Sequence, residues 1–164
     1  VLGQGFYLPH KGKRANIYRC LPLIPMPKIN NYVSILGLWN SKRGDRLMPS
    51  RTDFTFEDFI GWHGSIAISV VEGQDLRFKL YGTRYVDLLG VDLTNALLCA
   101  SMDESLIDQT KEYFSELING PYLGHMSGLA PTKGRDFTKF DVVDLPLSDN
   151  GTGVTQFLHA LSSE

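Results

Sequence analysis

The closing stretch DLPLSDNGTGVTQFLHALSSE, residues 144–164, decides the fold. A strand-like run stops at Pro146, turns through Ser148, Asp149, Asn150 and Gly151, and resumes as an apolar-rich run over 154–161. Asparagine followed by glycine supplies the left-handed positions of a tight turn, so the two runs are expected as an antiparallel hairpin. A hairpin there asks for a sheet to receive it.

The rest of that sheet is legible upstream. SIAISVVEG (65–73) and DLRFKLYG (75–82) read as two strands about a turn at Gly73, and in the second Leu76, Phe78 and Leu80 alternate with Arg77, Lys79 and Tyr81. Strands are also expected over about 122–129 and 137–147. Between the two groups lie helical stretches. One follows Thr83 and stops at Gly90; a longer one over 103–119 carries Leu106, Ile107, Thr110, Tyr113, Phe114 and Leu117 in helical register and ends at Gly120 and Pro121. Segregated strands and helices of this kind predict an α+β fold with a mostly antiparallel sheet.

Toward the N-terminus, Ile29, Tyr32, Val33, Leu36 and Trp39 recur at three- and four-residue steps, which predicts an amphipathic helix over 29–44. Thr55 and Asp58 have the spacing of a capping box. Residues 1–28 carry Pro9, Pro22, Pro25 and Pro27, which favour extended backbone, and read as an arm lying on its own domain or on a second copy. The expected organisation is an arm over 1–28 and a domain over 29–164.

With 164 residues, a net charge of -2 and 43% hydrophobic content, the chain suits one globular domain with a real core. Lys and Arg are scattered, with only a short cluster at Lys11, Lys13 and Arg14, so no electrostatic footprint for nucleic acid is present. Cys20 and Cys99 are too few for a disulfide framework and lack metal-ligand spacing, which points to a reducing cytoplasm. No apolar leader precedes Cys20, and no stretch approaches the ~18 apolar residues of a membrane span.

FKLYGTRYVDLLGVDLTN (78–95), INGPY (118–122) and DLPLSDNGTGV (144–154), in that order, resemble a PAS domain. Trp39, Arg43, Gly44, Arg46, Pro49, Ser50, Arg51 and Asp53 resemble a segment that precedes the domain in a bacterial PAS family of small, largely stand-alone proteins. The resemblance covers about residues 29–161. It departs at Asn95, where that family usually has glycine; asparagine tolerates left-handed backbone better than most residues, so a small local change is expected. The resemblance implies a PAS-like five-stranded antiparallel sheet, with helices over one face enclosing a small cavity, used for sensing or for pairing with another protein. It does not imply catalysis.

The residues give no enzyme signature either. His10, His63, His125 and His159 are isolated, there is no HExxH or GxSxG, and the GQG of residues 3–5 neither follows a strand nor opens a helix. The long helix has no histidine to ligate haem, and NALLCAS around Cys99 does not match the reactive-cysteine string of photoactive flavin domains. No haem or flavin is therefore expected, only an uncoloured small molecule or no ligand.

A cavity between the sheet and the long helix would be faced by Phe78 and Leu80 from strand parity and by Phe114 from the helix, with His125, Phe140 and His159 as further candidates. Tyr85 and Tyr113 each offer one phenolic hydrogen bond, and Arg51 a bidentate clamp for a carboxylate. Core packing for the aromatics, sheet hydrogen bonding for the histidines and a salt bridge to Asp53 or Asp92 for Arg51 are the plainer alternatives. Two functions follow: a sensory domain that binds a small molecule and signals to a protein partner, or a ligand-free module in which the arm and first helix build a homodimer.

Overall fold

The computed structural model of the chain describes residues 5–8, 16–135 and 137–162. Strands β1 (Phe6–Leu8), β2 (Ile17–Leu21), β3 (Ile66–Glu72), β4 (Asp75–Tyr81), β5 (Leu123–Leu129), β6 (Lys139–Leu147) and β7 (Gln156–Leu161) form one sheet in the order β1-β2-β5-β6-β7-β3-β4. All six pairings are antiparallel. The last two strands are the expected hairpin. Its turn is held by the Asn150 side-chain oxygen, which accepts from the amides of Thr152 and Gly153 at 2.9 Å each, and by Gly151 at φ 79°.

The sheet has seven strands where five were expected, because the N-terminal segment supplies two more. In β2, Tyr18 and Cys20 turn to one face and are buried, while Arg19 turns to the other and meets His125 of β5. Strand pairing ends at Leu21, where Pro22, Pro25 and Pro27 withdraw amide donors. The proline-rich segment leads out of a strand of the protein's own sheet and bends at residues 23–25 before the first helix. The basic cluster Lys11, Lys13 and Arg14, together with His10, Gly3 and Gln4, lies outside the described residues.

Helices cover both faces of the sheet rather than one. Helices α2 (Thr83–Leu89) and α3 (Glu104–Asn119) pack on the face that carries Tyr18, Phe78, Met126, Val142, Asp144 and His159. Helix α1 (Val33–Arg43) packs on the other, where Tyr32 at its start donates to Asp141 at 2.6 Å. It begins four residues later than the periodicity predicts, since Asn31 is left-handed at φ 73° and breaks the helical path. Ile35, Leu36 and Trp39 are buried beneath it, and the Trp39 indole N–H donates to the Pro146 carbonyl at 3.0 Å. The Arg43 guanidinium lies 5.0 Å from the Trp39 ring. The apolar stripe that invites a twin subunit is therefore covered by the protein's own sheet.

Two local expectations meet their geometry. The Thr55 amide donates to Asp58 at 2.7 Å, capping a single 3-10 turn at Phe56–Phe59. Asn95 takes φ 65°, the left-handed conformation glycine would supply, and its amide donates to Phe78 at 2.8 Å along the free side of β4.

Trp39→Ala removes the largest side chain beneath α1 and leaves the Pro146 carbonyl buried without its donor. The expected loss is about 3–5 kcal/mol of folding stability, read from urea denaturation; a loss below about 1 kcal/mol would mean α1 is not anchored there.

Candidate functional site

A cavity of about 70 Å³ lies between the sheet and helices α2 and α3. Phe78 and Tyr81 of β4, Tyr85 of α2, and Tyr113 and Phe114 of α3 form much of its aromatic wall, with Leu89 of α2 beside them. Phe140, Val142 and Asp144 of β6 and His159 of β7 close the sheet side. The remaining side is a strap, the turn Leu98–Ser101 with Met102, clamped to the connection after β5. Lys133 donates to Ser101 at 3.1 Å and Asp103 to Pro131 at 3.0 Å, both through backbone amides.

The structure gathers Phe78, Tyr85, Tyr113, Phe114, Phe140 and His159 around this one space. Leu80, His125 and Arg51 do not belong to it. Strand parity fails between Phe78 and Leu80 because Phe78 pairs with Ser69 while Leu80 pairs with Ile68, so Lys79 is an extra, unpaired residue. This bulge turns Leu80 to the opposite face, 37% exposed, and brings Tyr81 to the cavity.

His125 pairs with Val143 and faces α1, the side away from the cavity. Its Nδ1 accepts from Arg19 at 3.2 Å and its Nε2 donates to Asp141 at 3.0 Å. Arg51 sits in the 3-10 turn Arg51–Asp53. The partners expected for it are engaged elsewhere, Asp53 with Arg46 at 2.7 Å and Asp92 with Thr94 at 2.6 Å.

What sequence reasoning missed is the polar chain in the cavity wall. Asp144 and His159 stand directly opposite one another in the β6–β7 ladder. Asp144 Oδ1 accepts from His159 Nδ1 at 2.5 Å, and Oδ2 accepts from the Tyr113 hydroxyl at 2.6 Å. With Nδ1 donating to the carboxylate, Nε2 meets the Ser69 hydroxyl at 2.7 Å. All four side chains are buried. The one legible trace was a lone acid in the otherwise apolar run VVDLPL (142–147).

Burying a carboxylate costs several kcal/mol unless hydrogen bonds replace its water. Here both oxygens have donors. The charge is felt nearby: burial first, then the Asp144 charge, holds the Tyr113 hydroxyl well above the usual phenol range. Burial, then Glu116 and Asp144, pushes the Cys20 thiol up to about 12. Gly124 makes the contact sterically feasible, since a Cβ there would overlap the Tyr113 hydroxyl and Leu117.

Ser69, His159 and Asp144 have the connectivity of a hydrolytic triad, but the Ser69 side chain is fully enclosed. The arrangement is suited to tying elements together. It links α3 to β6, β7 and β3 through one carboxylate and one imidazole.

A five-strand core, β3 to β7, with helices that close a cavity against one of its faces defines a small α+β domain. The model of the PAS domain family matches residues 28–162, and the chain belongs to that family. Strands β1 and β2 precede the matched region. No curated protein and no solved structure matches the chain.

Two predictions follow from these hydrogen bonds. Tyr113→Phe leaves Asp144 Oδ2 buried without its donor and should lower stability by about 1.5–3 kcal/mol in urea denaturation; an unchanged midpoint would mean the bond contributes nothing. The second concerns Asp141. Burial raises its pKa, yet the hydrogen bonds from His125 and Tyr32 outweigh this and leave the carboxyl below its ordinary value. Its contribution is therefore complete above the unfolded pKa of about 3.9 and is lost as pH falls through the folded value. Asp141→Asn should flatten the acid limb of melting temperature against pH while changing the slope near pH 7 little.

Proposed function

We propose that the protein is a sensory, regulatory PAS domain in which a small molecule enters the cavity and a protein partner reads the result. The observation that carries this reading is the position of the polar chain. Tyr113 and His159 both line the cavity and both hold Asp144, so a ligand that competes for either group alters how α3 is fixed to three strands. A binding event then has a mechanical consequence.

The cavity favours a compact ligand. Its volume of about 70 Å³ is well below the roughly 300–1,000 Å³ of sites for drug-sized molecules. Haem and flavin are too large for it without rearrangement, and both His159 ring nitrogens are engaged. We propose a sensor without catalytic activity, acting in the reducing cytoplasm with Cys20 and Cys99 free. No described helix is long and apolar enough to cross a membrane.

A second reading, a ligand-free interaction module forming a homodimer, rests on surface rather than cavity. Val33 on α1 is 71% exposed, and Phe56 and Ile60 in the turn beside it are 72% and 75% exposed. That turn is tethered to α1 by Lys42–Asp58 at 3.1 Å and by the Trp62 indole donating to Ser34 at 2.9 Å. These residues offer a face for a second copy or for a signalling partner.

A native mass spectrum beside a denaturing one separates the readings. The sensor predicts a native mass above the chain mass by one small molecule that denaturation releases. A dimer at twice the chain mass, with no added mass after incubation with metabolite extract, favours the interaction module.

A further inference from the structure

Two of the phenol rings that wall the cavity, Tyr81 and Tyr85, end in buried hydroxyls with no hydrogen-bond partner in the structure. Their centroids are 5.2 Å apart, one on the last residue of β4 and the other in the first turn of α2. Buried donors without acceptors are rare in folded proteins. The polar groups of the sheet side are turned to one another: Asp144 accepts from Tyr113 and His159, His159 Nε2 meets Ser69, and neither the Tyr81 nor the Tyr85 hydroxyl bonds to any of them. One acceptor oxygen placed between the two hydroxyls would satisfy both.

The charge of that acceptor is constrained by the same neighbours. Asp144 lines the cavity, and burial followed by the Asp144 charge raises the Tyr85 hydroxyl well above the phenol range. The same low dielectric and the same carboxylate act against an anionic ligand. The Asp144 charge is already balanced by hydrogen bonds from Tyr113 and His159, and a cation competing for it would bear its own cost of desolvation. The remaining wall is largely apolar, with Leu89, Leu93 and Phe140 prominent and the side chains of Ser101, Thr110 and Thr132 among them.

We propose, resting on the cavity being a ligand site, that it takes a compact neutral molecule with an apolar body and one acceptor oxygen, of the ketone, ester or amide class, held by the Tyr81 and Tyr85 hydroxyls. The bound oxygen joins the end of β4 to α2. This class differs from the carboxylate that a clamp at Arg51 implies.

The test uses size-matched probes: cyclopentanone, cyclopropanecarboxylate, cyclopentylammonium and methylcyclopentane, each titrated into the full chain and followed by amide NMR shifts. Cyclopentanone is expected to bind at least tenfold more tightly than the others, with cavity-lining amides shifting. Its bound carbonyl stretch should move to lower frequency in the infrared. In Tyr85→Phe the ketone should weaken about tenfold and the infrared shift shrink, while methylcyclopentane binding is unchanged; Tyr81→Phe checks the second hydroxyl in the same way. Tighter binding of a charged probe, or equal binding of the hydrocarbon, overturns the ligand class and leaves the sensor standing. Binding of none overturns both.

Discussion

The architecture turns on one buried carboxylate. Asp144 lies in the middle of β6 and accepts from Tyr113 of α3 and His159 of β7, and through His159 it reaches Ser69 of β3. Hydrophobic contacts such as Phe114 with Phe157, at 5.3 Å between centroids, would hold α3 to the sheet at many similar angles. Hydrogen bonds to a single charge are directional, and any other angle leaves that charge unsatisfied. The carboxylate is thus a reason for one arrangement of α3 to be preferred, and for Gly124 beneath it to lack a side chain.

The second constraint is two-sided burial. In β6 the residues alternate between the cavity face, with Val142 and Asp144, and the α1 face, with Val143 and Leu145, and all are buried. A central strand covered on both sides loses the hydrophobic alternation that marks a half-exposed sheet. This accounts for the apolar stripe of α1, which the sequence alone would equally assign to a twin subunit. Its apolar stripe is needed at home, and what remains for partners is the outward Val33 and the neighbouring turn.

Much of the fold was legible because local chemistry determined it. The turns at Gly73 and Gly151, the stop at Gly90 and the left-handed Asn95 each follow from what a backbone position tolerates, and Pro121 bars α3 from continuing beyond Gly120. The failures were non-local. Parity along β4 breaks at Lys79, and nothing in FKLY announces a bulge; its partner strand fixes it. His125 faces α1 because of its register with Val143, and Asp144 meets His159 only once the β6–β7 ladder sets them opposite. The extension of the sheet by β1 and β2 likewise depends on an open edge at β5 that the N-terminal sequence does not encode. Aromatic candidates fared better than polar ones, since a large ring in a buried strand or helix face reaches the core in most registers.

The position of the cavity beside the polar chain has a physical logic. A well-packed core is stiff and transmits strain, and the groups that touch a filled or emptied space feel the change most directly. Were the Asp144 chain elsewhere in the sheet, occupancy of the cavity would change packing without changing any directional bond. Tyr113 and His159 belong to both, so the contents of the cavity and the attachment of α3 share the same atoms. The strap at Leu98–Ser101 leads through Asp103, the N-cap of α3, straight into that helix. On the proposed sensor reading, a ligand entering past this strap would move the start of the helix whose middle the carboxylate holds, and access and signal would be coupled through one element.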